Sequence, residues 1–388
     1  MTRTFSRGAF AAWTLGAALV GTSVILPGPS HAAGQLRLEP VWTRLADRYG
    51  EAGSVESAEF SPDGRTIVTG NKFDFQVILW RTSDGTELWR RPIPDEIERV
   101  GFSPDGRLIA VVSEDWMLRV LNAEDGAVVH EFRHDAGIDG LAFSHDGRWL
   151  ATGEEVTKGA DGQSQGKLRL FAVPGFNVAR VADHGATINS IDFRHDDAVV
   201  ITAGKGEVKA WRTRDLRQVG SFKTFPRPDK SVKWGLVSTR FSPDGKLVAG
   251  AGFGGDVYVW DAETGDLVRR FDHTGRKIEV VNWTPDGRYL LTAGYTNYID
   301  IWRRSQIEDP DIGHDALPVA HRAWAASWME YMHFDPTGGL LTTAHQDGTV
   351  RLWLFISEDP TLQDRAHAEI SARQKADNER RAAAGKDR

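Results

Sequence analysis

The chain contains no cysteine. That excludes disulfides, a thiolate nucleophile, a lipid-modified cysteine and any cysteine-based metal site. A surplus of basic residues is also missing. Lys and Arg number 47 against 54 Asp and Glu, for a formal net charge of -7. Bases do not outnumber acids over any long stretch, so a surface that tracks phosphates is not expected and nucleic acid is not an expected partner. No paired arginine precedes the apolar segment near the N-terminus, so the twin-arginine route is not indicated. What remains is ordinary globular composition, 40% hydrophobic and 26% charged over 388 residues, enough chain for a large core.

Residues 1–32 read as a secretory signal peptide. Arg3 and Arg7 form a positive start, every residue from Ala9 to Leu26 is apolar or small, and Pro27-Gly28 breaks the run. Ser30-His31-Ala32 places small residues for cleavage after Ala32. An uncleaved anchor is the other reading, because such a segment is just long enough to span a bilayer. With cleavage, the mature chain keeps no stable membrane span. Arg far outnumbers Lys, which suits a bacterial source, and the expected destination is the periplasm or the medium.

The most informative feature is a repeat. Seven times an aromatic residue meets a short Pro/Asp/Gly turn, at Phe60, Phe102, Phe143, Phe193, Phe241, Trp283 and Phe334. About twenty residues after each lies a bulky partner: Trp80, Leu121, Phe171, Trp211, Trp260, Trp302 and Trp353. A period of roughly 40–45 residues with four strands per unit is the signature of a β-propeller blade. Residues 241–260 show the pattern. Ser242-Pro243-Asp244-Gly245 makes a hairpin turn, in which Pro presets φ and Gly accepts the left-handed conformation. Strands then follow at Leu247, Val257 and Leu267. One such sheet cannot cover both of its faces and must stack on its neighbours. The fold class expected is therefore all-β, a seven-bladed propeller of four-stranded antiparallel blades over residues 35–357.

After Trp353 only Leu354 to Ser357 look extended, so the last blade lacks its outer strand. Gln35 to Leu45 offers one, with apolar Leu36, Leu38, Val41 and Leu45; Pro40 is tolerable on an edge. The N-terminal strand is expected to close the ring. Residues 358–388 form a charged, Ala-rich tail with few apolar anchors, read as a frayed helix or solvated segment.

The turns and aromatic partners resemble the WD-repeat β-propeller family, in an exported bacterial form, over about residues 36–357. The Ser-Pro-Asp-Gly turn stands intact at Ser61, Ser103 and Ser242, and varies to Ser144-His145-Asp146-Gly147 and Thr284-Pro285-Asp286-Gly287. The fourth copy, Arg194-His195-Asp196-Asp197, has lost both Pro and Gly. The resemblance implies a buried hydrogen-bonded set of His, Asp and Trp in a blade. His321, Asp347 and Trp353 match it best, with His134, His184 and His273 at the His position elsewhere. Only Trp260 is followed by Asp, so the full set is expected in few blades. These histidines read as structural.

Three places carry extra residues: Glu155 to Gly166, Thr224 to Gly235, and Arg303 to Met332. In a propeller the connections between second and third strands share one rim with those between blades. Two insertions fall on that rim and the third falls there in part. Loops on a rigid scaffold carry binding function. Phe225, Arg227, Lys233 and Trp234 in one loop, and Trp324, Trp328 and Tyr331 near the other, are the candidate partner-binding residues, because aromatics and Arg anchor interfaces. Trp328 or Tyr331 could instead pack the first strand of the last blade.

Catalytic patterns are weak. Gly162-Gln163-Ser164-Gln165-Gly166 has the spacing of a nucleophile elbow, but a strand follows it where that motif needs a helix. The acids from Glu308 to Asp315 match no calcium loop. Gly250 to Gly255 precedes no helix and so makes no phosphate cradle. No set of Asp, Glu, Asn and His is evident at equivalent blade positions to line a channel metal. The reading is a non-catalytic, exported protein-interaction scaffold that binds a protein or peptide partner with no cofactor. The alternative is an exported propeller enzyme or ligand sensor with a metal or cofactor in the central channel.

Overall fold

Each blade starts from the turn that the sequence repeats. In the first copy Ser61 Oγ donates to Asp63 Oδ1 at 2.6 Å and accepts the Thr66 N–H at 3.0 Å. Gly64 closes the turn at φ +66, where a Cβ would be strained. The same side-chain bridge recurs at Ser103, Ser144, Ser242 and Thr284. The degenerate fourth copy survives differently. Asp197 takes the Gly position at φ +56, and its carboxylate accepts the N–H groups of His145 and Asp146, both at 2.8 Å. The residue that strains this turn thereby clamps it to the preceding blade.

The structure is a computed structural model that describes residues 36–158, 164–204, 206–224, 235–272, 276–296, 298–313, 318–323 and 327–357. Residues 1–35, read above as carrying a signal peptide, and the C-terminal residues 358–388 lie outside the described residues. Seven four-stranded antiparallel sheets form the expected propeller. Taking the strand that ends at each turn aromatic as innermost, blade 1 comprises Val55–Phe60, Thr66–Asn71, Gln76–Arg81 and Glu87–Pro92. Blades 2 to 6 repeat this order, with inner strands Ile97–Phe102, Ile138–Phe143, Ser190–Phe193, Leu236–Phe241 and Ile278–Trp283. Among the described residues no helix is long and apolar enough to cross a membrane.

Blade 7 is closed as expected. Its inner three strands are Met329–Phe334, Leu340–His345 and Thr349–Ile356, and Arg37–Leu45 pairs antiparallel with the last of them. The register shifts between Pro40 and Trp42, an irregularity at the residue that has no N–H to offer the ladder. Trp42 Nε1 then donates to the Thr82 carbonyl at 2.8 Å and Arg44 Nε to the Gly85 carbonyl at 2.9 Å. The closing strand is thus bonded to blade 7 and to blade 1 at once.

The core lies between blades, where the third-strand aromatics are buried. In four blades the indole N–H of the third strand donates to a threonine hydroxyl on the second: Trp80 to Thr69, Trp211 to Thr202, Trp302 to Thr292 and Trp353 to Thr343. In blade 7 the same Thr343 Oγ1 also lies 2.7 Å from His345 Nε2. Asp347 binds Arg351 and Thr349 within its own turn. His321 sits in the outer strand of blade 6, opposite Asp300. His134 does have a carboxylate partner, Glu154 at 2.8 Å, and His184 faces the Ala186 carbonyl at 3.0 Å. His273 lies outside the described residues.

Candidate functional site

Strand alternation places every second residue on one side of a sheet. Counting back from each turn aromatic, the residue four earlier should share the aromatic's buried side. It does not, because in six inner strands the register slips by one residue at this point, as between Val55 and Ser57. The slip turns Glu56, Glu98, Asp139, Val237, Glu279 and Glu330 into the mouth of the central channel, with Asn189 at the same offset in blade 4. This is a correction to the sequence analysis, which found no acidic set at equivalent blade positions. Five of the seven blades supply a carboxylate there.

Counted forward from each turn aromatic, another ring follows at one shared offset: Lys72, Glu114, Glu155, Phe253, Tyr295 and Gln346. The blade 4 counterpart, position 205, lies outside the described residues. Together these residues line a cavity of about 620 Å³. Eight Asp or Glu face it against three bases, Lys72, Arg99 and Lys277. Acidic side chains therefore outnumber basic ones at the mouth.

Crowding of carboxylates with little water shifts their protonation. Burial pushes the Glu98 carboxyl up to about 8, with Glu56 adding to the rise. Burial and the charge of Glu155 bring Asp139 to about 7. Glu330 goes to about 8 through burial and its neighbours Glu56 and Glu279, although Gln346 donates a hydrogen bond to it. Glu114 is raised by burial, then by Glu155 and Glu96. For Lys72, burial opposes the charge, but Glu56, Glu98 and Glu96 outweigh it and hold the ammonium protonated. Its Nζ lies 3.3 Å from Glu96 and 3.8 Å from Glu56.

Lys277 shows how this cavity holds a cation. Its ammonium is paired with Glu279 and stands 4.7 Å from the centre of the Phe253 ring and 5.3 Å from that of Tyr295, within cation–π range. Trp328 stacks on the other side of the site, its ring 4.5 Å from Tyr295 at 12°. Beneath the mouth the channel carries basic and aromatic groups. Arg99 lies 5.3 Å from the Tyr331 ring centre, and Arg240 Nη2 donates to Tyr331 Oη at 2.9 Å. Deeper still, Glu59 accepts the Phe102 N–H at 2.9 Å and Asp192 the Phe241 N–H at 2.7 Å. His333 Nδ1 accepts the Phe60 N–H at 3.2 Å. It does so as a neutral ring, since burial and then Arg240 lower it to about 3.

The rim around the mouth exposes aromatics. Trp328 is 40% exposed and Trp116 41%. Trp116 and Phe75 occupy the residue just before the third strand at φ +64 and +56. Blades 5 and 7 use Gly255 and Gly348 there, at φ +74 and +70. A bulky residue in the left-handed region costs on the order of 1–3 kcal/mol.

The sequence-based candidates divide. Trp328 stands on the rim, exposed. Tyr331 does not: it is 8% exposed, on the inner strand of blade 7, with its hydroxyl in the channel. Phe225, Arg227, Lys233, Trp234 and Trp324 lie outside the described residues. The third insertion falls partly on the other rim. Its helix, Arg304–Glu308, follows the third strand of blade 6 and leads to the outer strand at Ala320, on the rim opposite the mouth. The blade 3 insertion forms a small hairpin, Thr157–Lys158 against Ser164–Gln165, so Ser164 precedes a strand and no helix. Among the described residues no three His, Asp or Glu side chains converge as a metal centre.

Three family models match the chain in succession. Residues 39–220 match that of the outer membrane protein assembly factor BamB, 236–304 that of the eukaryotic translation initiation factor eIF2A, and 320–353 the WD domain, G-beta repeat. Actin-interacting protein 1 of Drosophila melanogaster is 26% identical over 264 residues, covering 66% of this chain and 35% of that protein. The WD repeat-containing protein 26 homolog of the same fly is 25% identical over 311 residues, 76% of this chain and 45% of the relative. Target of rapamycin complex subunit wat1 of Schizosaccharomyces pombe is 23% identical over 259 residues, 63% of this chain and 77% of the relative. The chain spans between a third and a half of the length of the first two. The chain is thus a seven-bladed β-propeller with similarity to WD-repeat proteins.

Proposed function

We propose that the chain is a non-catalytic protein-interaction scaffold, exported by residues 1–32, that presents the rim around the acidic mouth to a protein or peptide partner. The observation that carries this reading is the pair of exposed tryptophans, Trp116 and Trp328, on one rim around a cavity of about 620 Å³. Exposed indoles at a concave site are the residues from which interface hot spots are built. Rigid blades hold them in place, so binding loses little loop-ordering entropy. The names of relatives point the same way, to an actin-interacting protein and to a subunit of a complex.

The test is capture of a crosslinked partner from the exported fraction. Trp116→Ala with Trp328→Ala should lower recovery at least tenfold, as expected when two anchors each contribute on the order of 1–2 kcal/mol. Leu88→Ala, an equally exposed apolar residue on the outer strand of blade 1, should leave it unchanged. Full recovery with the double variant moves the partner face elsewhere.

A further inference from the structure

We infer that the partner enters this mouth with a basic segment, a lysine or arginine side chain seated among Glu98, Glu114, Asp139 and Glu155. The inference rests on the scaffold reading and adds the chemistry of the partner.

Three observations carry it. The first is charge complementarity: eight carboxylates against three bases line one cavity. The bases are unevenly placed. Lys277 is engaged with Glu279, Lys72 with Glu56 and Glu96, and Arg99 donates to the carbonyls of Glu56 and Glu98 and leans on Tyr331. Among the described residues Glu98, Glu114, Asp139 and Glu155 form no ion pair with a base of the chain, although Lys72 and Arg99 act on Glu98 and Asp139 from further off.

The second observation is that the same cavity already holds an ammonium. Lys277 sits on Glu279 between the faces of Phe253 and Tyr295. This is a complete recognition site for an amine: a carboxylate for the charge and ring faces for the alkyl stem. Blade 1 offers a similar ring, Phe73, exposed and lining the same cavity as Glu98 and Glu114, and Trp116 of blade 2 is exposed two residues after Glu114. Arg133 already lies over Trp116, 5.5 Å from the ring centre.

The third is the kind of cation that fits. Among the described residues no three carboxylates or histidines converge on one point, so a bare metal ion has no coordination shell here. The cavity is also far larger than an ion, and its aromatic faces suit an organic cation. A side chain on a peptide satisfies both, with the flanking residues resting on the exposed Trp116 and Trp328. The carboxyls of Glu98 and Asp139 are raised because burial resists their charge; an incoming cation relieves that resistance.

The probe is an octalysine peptide titrated calorimetrically into the full exported chain, with octaglutamate and spermidine as comparisons. Octalysine should bind, and at least tenfold more weakly in 300 mM than in 50 mM NaCl. Glu98→Gln with Asp139→Asn should weaken it at least tenfold. Glu124→Gln with Glu263→Gln, the same charge change on turns of the opposite rim, should alter it less than twofold. Matching thermal melts exclude misfolding as the cause. Equal weakening by both pairs reduces the effect to net charge and overturns the inference. So does absence of octalysine binding, or binding of spermidine as tight as that of octalysine, which would make the site one for small amines. If octalysine fails while the tryptophan variants still lose the captured partner, the scaffold reading stands and only the basic segment falls. If octalysine binds as expected and those variants keep the partner, the mouth takes basic peptides but that partner docks elsewhere, and the inference falls with the reading it rests on.

Discussion

Removal of Arg37–Leu45 abolishes cooperative unfolding. This strand is the outer edge of blade 7 and pairs along the length of Thr349–Ile356. It carries Trp42 into a core shared with Phe60, Ile78 and Trp80 of blade 1. It also bonds across the junction, from Trp42 to Thr82 and from Arg44 to Gly85. Losing a buried Trp alone costs about 3–5 kcal/mol. Exposing the neighbouring strand and opening the ring brings the total to the order of 10 kcal/mol, which is the whole stability of a typical domain. Calorimetry of the truncated chain should show no sharp transition, whereas Trp42→Ala should keep one at a lower midpoint. A truncated chain that melts within a few degrees of the full one would mean that blade 7 closes without this strand.

Arg240→Met destabilises the channel by about 3 kcal/mol, near the low end for removing one partner of a buried charge set because the channel lining is partly wetted. Arg240 donates to Tyr331, Ser190 and the Thr239 carbonyl, and its charge offsets those of Asp192 and Glu59. Burial raises Glu59 to about 7 and raises Asp192, with Arg240 opposing both rises. The sign of the pH dependence follows. An acid whose pKa is raised by folding binds more protons folded than unfolded between its two pKa values. Its folded form is least penalised below the unfolded value near 4.5, and stability is lost as pH rises through about 7. Without Arg240 the rises grow, so the variant should lose more stability at pH 8 than at pH 5. Urea midpoints at the two pH values measure this. A deficit equal at both would remove Glu59 and Asp192 from the account.

Particular residues show what could be read in advance. The turns at Ser61, Ser103 and Ser242 announced the blades because Pro and Gly there have one backbone use. Leu38 and Val41 flanking a tolerable Pro40 announced the closing strand for the same reason. The acidic ring was hidden by a backbone irregularity. Strict alternation from Phe60 assigns Glu56 to the buried side, and only the slip between Val55 and Ser57 sends it into the channel. Counting back four residues from each turn aromatic would have exposed the ring without any assumption about facing. Tyr331 was misplaced by the same slip, since it follows the bulged Glu330. The polar partner of the third-strand Trp was sought among His and Asp, but Thr recurs on the second strand, two residues beyond the one that faces the Trp, at Thr69, Thr202, Thr292 and Thr343. A hydroxyl satisfies the indole N–H at no charge-burial cost.

Amide hydrogen exchange of the chain with and without its captured partner tests the working face most directly. The account predicts that protection on binding concentrates at Lys72 to Phe75, Glu114 to Trp116 and Gln346 to Gly348, with the inner-strand starts at Glu56 and Glu98. Protection confined to the opposite rim, at Ser61 to Arg65 and Ser103 to Arg107, would contradict it.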